Sequence, residues 1–192
     1  RCTFFITHET ALLEKMRKNR NIELGLHPNF NPLLEGDFRY GGTIEKVIKY
    51  YKNILPEAES VRSHSLTQNS NYLKIISEYG FRFECNNYIP MNSKIVVYPY
   101  LHWDKKLIRV PHYWEDDLHF IYGDQWSKKY YLKYRGIKVF DFHPIHLFLN
   151  TENIERYERT RHFHQNPTEL TKHRYGGYGT LNILLDLLEQ KA

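Results

Sequence analysis

The chain of 192 residues contains few of the residues and patterns that mark several protein classes. Its two cysteines, Cys2 and Cys85, are too few and too distant for a disulfide framework or a CxxC metal site. We therefore expect two buried thiols in a reducing compartment. No run approaches 18 consecutive apolar residues, so the sequence predicts no membrane-spanning helix. It also lacks heptads and fixed-period repeats, which argues against a coiled coil or a solenoid.

The composition is that of a globular protein, with 41% apolar and 26% charged residues. The length suits one domain, so we expect a single domain over residues 1–192. The net charge is +5, but the basic residues are scattered among tyrosines and are not concentrated in one stripe. Nucleic acid is therefore not an expected partner. We expect a cytoplasmic location, with peripheral attachment to a membrane as the alternative.

Short apolar segments alternate with segments of helical spacing. Apolar residues at helical spacing predict helices opening at Thr7 or Thr10, after a cap at Thr43, over residues 66–79 and near Thr180. Alternation of this kind favours an α/β fold with a mostly parallel sheet or barrel. The predicted strands are "CTFFIT", "IELGL", "AESVRS", "FRFECNN", "KIVVYPYL", "KLIRVPHYW" and, most clearly, "GIKVFDFH" over residues 136–143.

Chemically capable side chains follow nearly every predicted strand. In α/β folds, sites gather at the carboxyl ends of the strands, so these groups are candidates for a common site. They are His8, His27, Arg62 with His64, Asn86 with Asn87, the stretch 114–117, and His143.

Three of these groups, His27, His64 and His143, would face the same edge of the sheet if the predicted strands are correct. A lone histidine is more often structural, but three that converge favour a function. Neutral imidazole is a good zinc ligand, and catalytic zinc takes three protein ligands and a water. An imidazolium can equally act as a general acid. Metal binding and acid catalysis both stay open on these residues alone.

Several segments, in order, resemble motifs of the NodB-type polysaccharide deacetylases (carbohydrate esterase family 4), most closely the WbmS-like branch. "CTFFITHE" resembles a strand of the "ATFFVTGEN" kind, and "IELGLHPNFNP" resembles the signature "EIGNHTxxHP". "VRSHSL" occupies the place of the "RxPxG" strand. "RVPHYWEDD" resembles a "PxxWxxDD" variant, and "FDFHP" the closing "LxxHP". The resemblance implies a distorted (β/α) barrel and metal-dependent deacetylation.

The resemblance implies a role for five residues. His27 matches the first metal-binding histidine, whereas the second falls on Asn31, a poor zinc ligand. His64 is the candidate that replaces it. Arg62 matches the residue that holds the catalytic aspartate, and His143 matches the general acid that protonates the leaving amine.

The aspartate pair of the family's first motif, one base and one metal ligand, has no match here. Its place would lie before Arg1, and the chain opens without Met directly in an apolar run. We therefore expect that a first strand carrying those aspartates, and with them a further metal ligand, is missing from this chain.

Four more residues are candidates for substrate binding: His8, Trp114, Asp117 and His146. Trp114 would stack on a sugar ring, although a core position is equally compatible with the sequence. Asp116 and Asp117 are adjacent, so at most one faces a site if the strand continues through them. His146 has no family counterpart, and packing or a bond to the preceding loop are its alternatives.

We conclude from the sequence that the chain resembles a hydrolase dependent on a divalent metal, zinc above all. It would remove an N-acetyl group from an amino sugar in a bacterial surface polysaccharide or its precursor. Its partner would be a carbohydrate or glycolipid substrate. The alternatives are a carbohydrate-binding or scaffold domain without catalysis, and a hydrolase of a non-sugar amide.

Overall fold

The computed structural model describes residues 1–123, 126–127 and 131–189. Contacts divide the chain into two compact units. The first comprises Arg1–Asn87 and Tyr98–Pro111, and the second comprises Tyr88–Val97 and His112–Ala192. The expectation of one domain over residues 1–192 stays a prediction.

The first unit is built on a mixed six-stranded sheet with the order β1-β2-β3-β4-β6-β5. Neighbours are parallel from β1 to β6, and β5 runs antiparallel to β6. The α/β class is therefore confirmed, whereas closure into a barrel and a missing first strand stay predictions. The strands are β1 (Cys2–Ile6), β2 (Ile22–Leu26), β3 (Ser60–Val61), β4 (Phe83–Glu84), β5 (Tyr100–Leu101) and β6 (Ile108–Arg109).

Four helices of the first unit pack around this sheet. The predicted cap Thr43 is confirmed, because its side chain accepts a hydrogen bond from the Lys46 N–H at 3.3 Å. The helix expected over residues 66–79 begins only at Ser70, since Asn69 caps it by accepting from the Tyr72 N–H. The helices are α1 (Leu13–Arg17), α2 (Asn31–Leu34), α3 (Ile44–Ile54) and α4 (Ser70–Glu78). Their buried faces supply Leu13, Val47, Ile48, Tyr51, Tyr72, Leu73, Ile75 and Ile76 to the core.

The second unit combines a two-stranded parallel sheet with short helices. Its strands are β7 (Trp114–Glu115) and β8 (Phe140–Asp141), and Glu115 lies opposite Asp141. The last predicted helix is confirmed with its start at Thr180. The helices are α5 (Asp116–Tyr122), α6 (Pro144–Leu149), α7 (Ile154–Thr160), α8 (Pro167–Thr171) and α9 (Thr180–Leu188). The core cluster is Tyr113, Trp114, Tyr131 and Ile183.

The strand expected over residues 136–143 is much shorter than the sequence pattern predicts. Only Phe140 and Asp141 pair with a neighbouring strand, while Gly136 makes an isolated bridge with Val97. Gly136 has φ +91°, and a Cβ there would lie 2.3 Å from the Val97 carbonyl oxygen. The close approach requires glycine at this position.

The expectation of two buried thiols is wrong. Cys2 is exposed and Cys85 is half-buried, because β1 lies at the edge of the sheet and Cys85 follows the last residue of β4. Both cysteines are free thiols. Among the described residues, no helix has the length and apolar character needed to cross a bilayer.

Two arginine–glutamate pairs on the first unit's sheet differ in burial. Arg109 Nε lies 2.6 Å from Glu84 Oε2 and its side chain is 12% exposed, whereas Arg82, paired with Glu59, is 62% exposed. Because Arg109→Leu leaves a buried carboxylate unpaired, we expect it to lower the free energy of unfolding by about 3 kcal/mol or more. The matched control Arg82→Leu should cost less than about 1 kcal/mol. Equal losses in urea denaturation would contradict this difference.

Candidate functional site

The first unit places His27 and His64 side by side at the carboxyl ends of β2 and β3. Backbone hydrogen bonds fix both loops: the His27 N–H donates to Ile6 O and the His64 N–H donates to Pro28 O, each at 2.9 Å. The two imidazole rings meet edge to face, with centroids 5.6 Å apart. Two of the three histidines expected to converge therefore do so, and the third lies in the second unit.

Asn31 belongs to the same group, because its Nδ2 donates to Ser65 Oγ at 3.3 Å next to His64. The loop after β3 is held in an unusual shape, with φ of 55° at Ser65 and 52° at Leu66. Left-handed backbone at residues other than glycine costs energy and persists only where surrounding contacts enforce it. The Asn31–His64 neighbourhood is thus a rigid and strained corner of the unit.

A buried amide enforces the shape of that loop. Asn86 accepts a hydrogen bond from the Ser63 N–H at 2.8 Å and donates to Thr67 O at 3.3 Å, so it bridges both ends of the turn. Asn86 itself is fixed by its N–H, which donates to Glu84 Oε1 at 2.9 Å. This role for the asparagine after β4 is structural and explains one of the polar groups seen at the strand ends.

The other two candidates of the first unit lie near strand ends as well. Arg62 is buried, and its backbone N–H donates to Leu26 O at 2.9 Å. His8 is exposed, with Nδ1 2.7 Å from Thr7 Oγ1. His8 is therefore accessible to solvent. Arg62 directly follows β3, next to β2, the strand that His27 follows.

The second unit brings acidic and imidazole groups together where β7 and β8 end. The chain passes from β7 directly into α5 at Asp116, so the strand does not continue through the two aspartates. After β8, His143 stands at the N-terminus of α6 and Pro144 occupies the first helical turn, where its missing N–H costs nothing. Parallel pairing of the two strands therefore sets the start of α5 beside His143.

Asp116, which is fully buried, pairs with His143, whose side chain is 34% exposed. Asp116 Oδ1 lies 2.6 Å from His143 Nδ1, and Oδ2 accepts from the His143 backbone N–H at 2.8 Å. The Asp117 N–H adds a third bond, to Oδ1, at 2.9 Å. Three N–H donors favour the ionised carboxylate, and since a carboxylate only accepts, His143 Nδ1 carries the proton.

The charges around His143 favour the imidazolium. Burial opposes the charged ring, but the hydrogen bond to Asp116 and the negative charges of Asp116, Asp141 and Asp117 outweigh it. Together they raise the pKa of His143 to about 10. Burial raises the pKa of Asp116, and the His143 hydrogen bond opposes this. The His143 ring is therefore protonated at neutral pH, and its Nε2–H is the donor that is not bonded to Asp116.

Asp117 and His146 form a second pair. His146 Nε2 lies 2.5 Å from Asp117 Oδ1, and His146 Nδ1 lies 3.1 Å from Thr151 Oγ1. The prediction that at most one of the adjacent aspartates faces a site applied only to a continuing strand, and the chain is helical from Asp116 onwards. In the first turn of α5, both carboxylates reach a histidine.

Burial separates the remaining candidates of the second unit. Trp114 is 3% exposed and packs against Phe142 and Trp126, with ring centroids at 5.0 and 5.6 Å. These contacts favour a core role over stacking on a sugar. His146 is 1% exposed with both ring nitrogens hydrogen-bonded, so direct contact with substrate is not favoured either.

Asp116 is the main residue of this candidate site that the sequence argument did not select. The available signal was an aspartate pair directly after an apolar strand. Asp at the first position of a helix is favourable, because it complements the helix dipole. An α5 start at Asp116 could have been inferred from that preference, but its pairing with His143 depends on the tertiary neighbour β8.

Three donor sets bear on metal binding in the part of the chain described: Asp116, Asp117, His143 and His146; Glu115, Asp141 and His143; and the His27–His64 pair. Ligand atoms of Asp116, Asp117, His143 and His146 lie within 4.8 Å of one another. In this set, a carboxylate already lies within hydrogen-bond distance of one nitrogen of each imidazole, which suits proton chemistry. The His27–His64 pair is different: its ring spacing fits two imidazoles on one tetrahedral ion, for which roughly 5 Å follows from Zn–N bonds of about 2.0–2.1 Å.

Comparison with known proteins identifies close similarity. Residues 1–161 match the family model described as WbmS-like polysaccharide deacetylase. A crystal structure from Bordetella bronchiseptica, described as that of a candidate polysaccharide deacetylase involved in O-antigen biosynthesis, is 41% identical with a TM-score of 0.90. The match covers 97% of this chain and 77% of that one. No curated protein matches.

The Asp116–His143 pair predicts a pH-dependent share of stability. The folded pKa of His143, about 10, exceeds the ordinary value of 6.5, so the stabilisation is complete below about pH 6.5 and is lost as the pH rises through about 10. We expect Asp116→Asn to be less stable than the wild type at about pH 6, with a smaller gap at about pH 10.5. Urea denaturation at both values measures it, with exposed His162→Gln as control. A gap that widens with pH would contradict the ion pair.

Proposed function

Because the chain belongs to the family of WbmS-like polysaccharide deacetylases, we propose that it removes an N-acetyl group from an amino sugar in a bacterial surface polysaccharide or its precursor. The observation that carries this proposal is the pair of buried Asp116 and half-buried His143, whose contacts favour a proton on the imidazole at neutral pH. Cleavage of an amide requires such a proton, since the departing nitrogen must leave as an amine.

The proposed reaction is hydrolysis. The oxygen of a water molecule bonds to the acetyl carbonyl carbon, and a carboxylate accepts one proton of that water. His143 Nε2–H then donates its proton to the sugar nitrogen as the C–N bond breaks, which gives acetate and a free amine. Asp116 stays ionised throughout and stabilises the imidazolium through Nδ1.

We infer that His27 and His64 hold a divalent metal, most simply zinc, with the Asn31 amide oxygen as a weaker third donor. The ring spacing supports this, and the strained loop at Ser65 presets the position of His64. A bound divalent cation supplies Lewis acidity towards a carbonyl oxygen and lowers the pKa of a bound water. In the family pattern, an aspartate pair supplies a further metal ligand and the base.

The remaining assignments complete the proposal. Arg62 would orient the aspartate base, and His8 and Asp117 would contact the carbohydrate or glycolipid substrate, whereas the buried Trp114 would support the site from the core. We further propose that the family barrel is the fold of the whole domain over residues 1–192. The location would be cytoplasmic, consistent with two free thiols.

The metal assignment predicts a loss of bound ion on removal of one imidazole. We expect His27→Ala and His64→Ala to bind zinc at least tenfold more weakly than the wild type, because each removes a ligand. Elemental analysis after reconstitution and dialysis measures the occupancy. His162→Ala, which removes an exposed histidine, should keep the wild-type value. Full occupancy in the two variants would exclude this site.

The acid assignment predicts a loss of turnover without a loss of folding. His143→Ala should release acetate from N-acetylated amino-sugar oligosaccharides at least 100-fold more slowly than the wild type, since the amine then departs unprotonated. The assay compares full-length proteins loaded with zinc, with His162→Ala as the matched control. Wild-type release from non-sugar amides alone would point to the alternative substrate class. A wild type as inert as His143→Ala on all these substrates would refute the enzyme.

A further inference from the structure

The pair formed by His146 and Asp117 has no part in the proposed reaction, although it adjoins the acid. The rings of His143 and His146 lie 5.9 Å apart and almost perpendicular. Asp117 stands between them: its Oδ1 contacts His146 Nε2 at 2.5 Å, and its Oδ2 lies 3.7 Å from His143 Nδ1. One carboxylate thus faces both imidazoles.

His146 is held from several sides. Its backbone N–H donates to His143 O and its carbonyl accepts from the Thr151 N–H, both at 3.0 Å. The rings of Phe120 and Tyr157 flank the imidazole at 5.1 and 5.0 Å. The Thr180 hydroxyl in turn donates to Thr151 O at 2.8 Å. A fully enclosed ring with this frame has one orientation available.

The hydrogen bonds also fix which nitrogen of a neutral His146 carries the proton. The Asp117 carboxylate only accepts, so His146 Nε2 must be the donor. His146 Nδ1 is then an acceptor, and the Thr151 hydroxyl donates to it. The Asp117 carboxylate therefore selects the tautomer, and the Thr151 hydroxyl, which can donate as well as accept, completes it at Nδ1.

The hydrogen bond from His146 Nε2–H holds the Asp117 carboxylate in position. Its side chain is 38% exposed, so without a partner it would rotate into solvent, where its charge would be screened. Held by His146, it presents its second oxygen to His143 Nδ1 at 3.7 Å. Asp116 and Asp117 then flank the same N–H from two directions.

We propose that His146, oriented by Thr151, is a positioning residue that keeps Asp117 beside His143, so that two carboxylates hold the acid in its protonated form. The inference rests on the proposed role of His143 as acid. His146 acts through Asp117 and does not touch the substrate. The other titratable groups that face the two imidazoles are Glu115, Asp141, Tyr157 and His164.

The test is titration of the His143 ring by NMR in the full chain. Removal of an opposite charge within about 4–6 Å lowers the pKa of an imidazole by about one unit. We expect that shift in Asp117→Asn and in His146→Leu. His146→Gln retains an N–H donor and should recover at least half of it. Glu158→Gln, which removes an exposed carboxylate of the same unit, should leave the titration unchanged.

The outcomes separate the inference from the proposed function. If the pKa of His143 is unchanged in Asp117→Asn, the inferred influence of the second carboxylate is wrong. If that pKa shifts in Asp117→Asn but not in His146→Leu, the positioning role of His146 is wrong. If His146→Leu does not fold, Thr151→Val tests the same chain of contacts and should give a smaller shift of the same sign. Acetate release by the wild type decides the function independently: an inert wild type with shifted variants refutes the enzyme and leaves the positioning role intact.

Discussion

The second unit depends on one buried negative charge, the carboxylate of Asp116. A lone carboxylate in that position would be prohibitively expensive, and its three N–H donors make it tolerable. Two of these donors are backbone groups, from the start of α5 and the start of α6. The charge therefore joins the ends of β7 and β8 and the two helices that follow, and it sets the imidazole of His143 between them.

In the first unit, neutral groups instead of a buried charge fix the position of an imidazole. Asn86 closes the turn that carries His64, and the backbone bonds of His27 and His64 tie adjacent loops to the strands. Left-handed Ser65 and Leu66 show that the turn would not adopt this shape alone. In both units a buried polar anchor gives an imidazole a defined place, with a carboxylate in one unit and an amide in the other.

The sequence predicted features that depend on neighbouring residues better than features that depend on contacts distant in the chain. Caps such as Thr43 and the helix start at Thr180 depend on a few neighbouring residues, so they were predicted well. The long strand over residues 136–143 was predicted from local apolar character, but strand length depends on a partner, and only Phe140 and Asp141 pair with a neighbouring strand. The pairing of Asp116 with His143 spans 27 residues and comes from the register of β7 and β8. No local pattern contains that register.

The order of motifs along the chain carried the family assignment, which the comparisons confirmed.

The hydrogen bond from the backbone N–H of His143 affects which substitutions this architecture can accept in evolution. It binds Asp116 whatever side chain position 143 carries, and the Asp117 N–H does the same from the other helix. The fold can therefore lose the imidazole at that position while the buried charge keeps two of its donors. Descendants of such a chain that no longer perform chemistry, yet still recognise sugars, would be within reach of a single substitution.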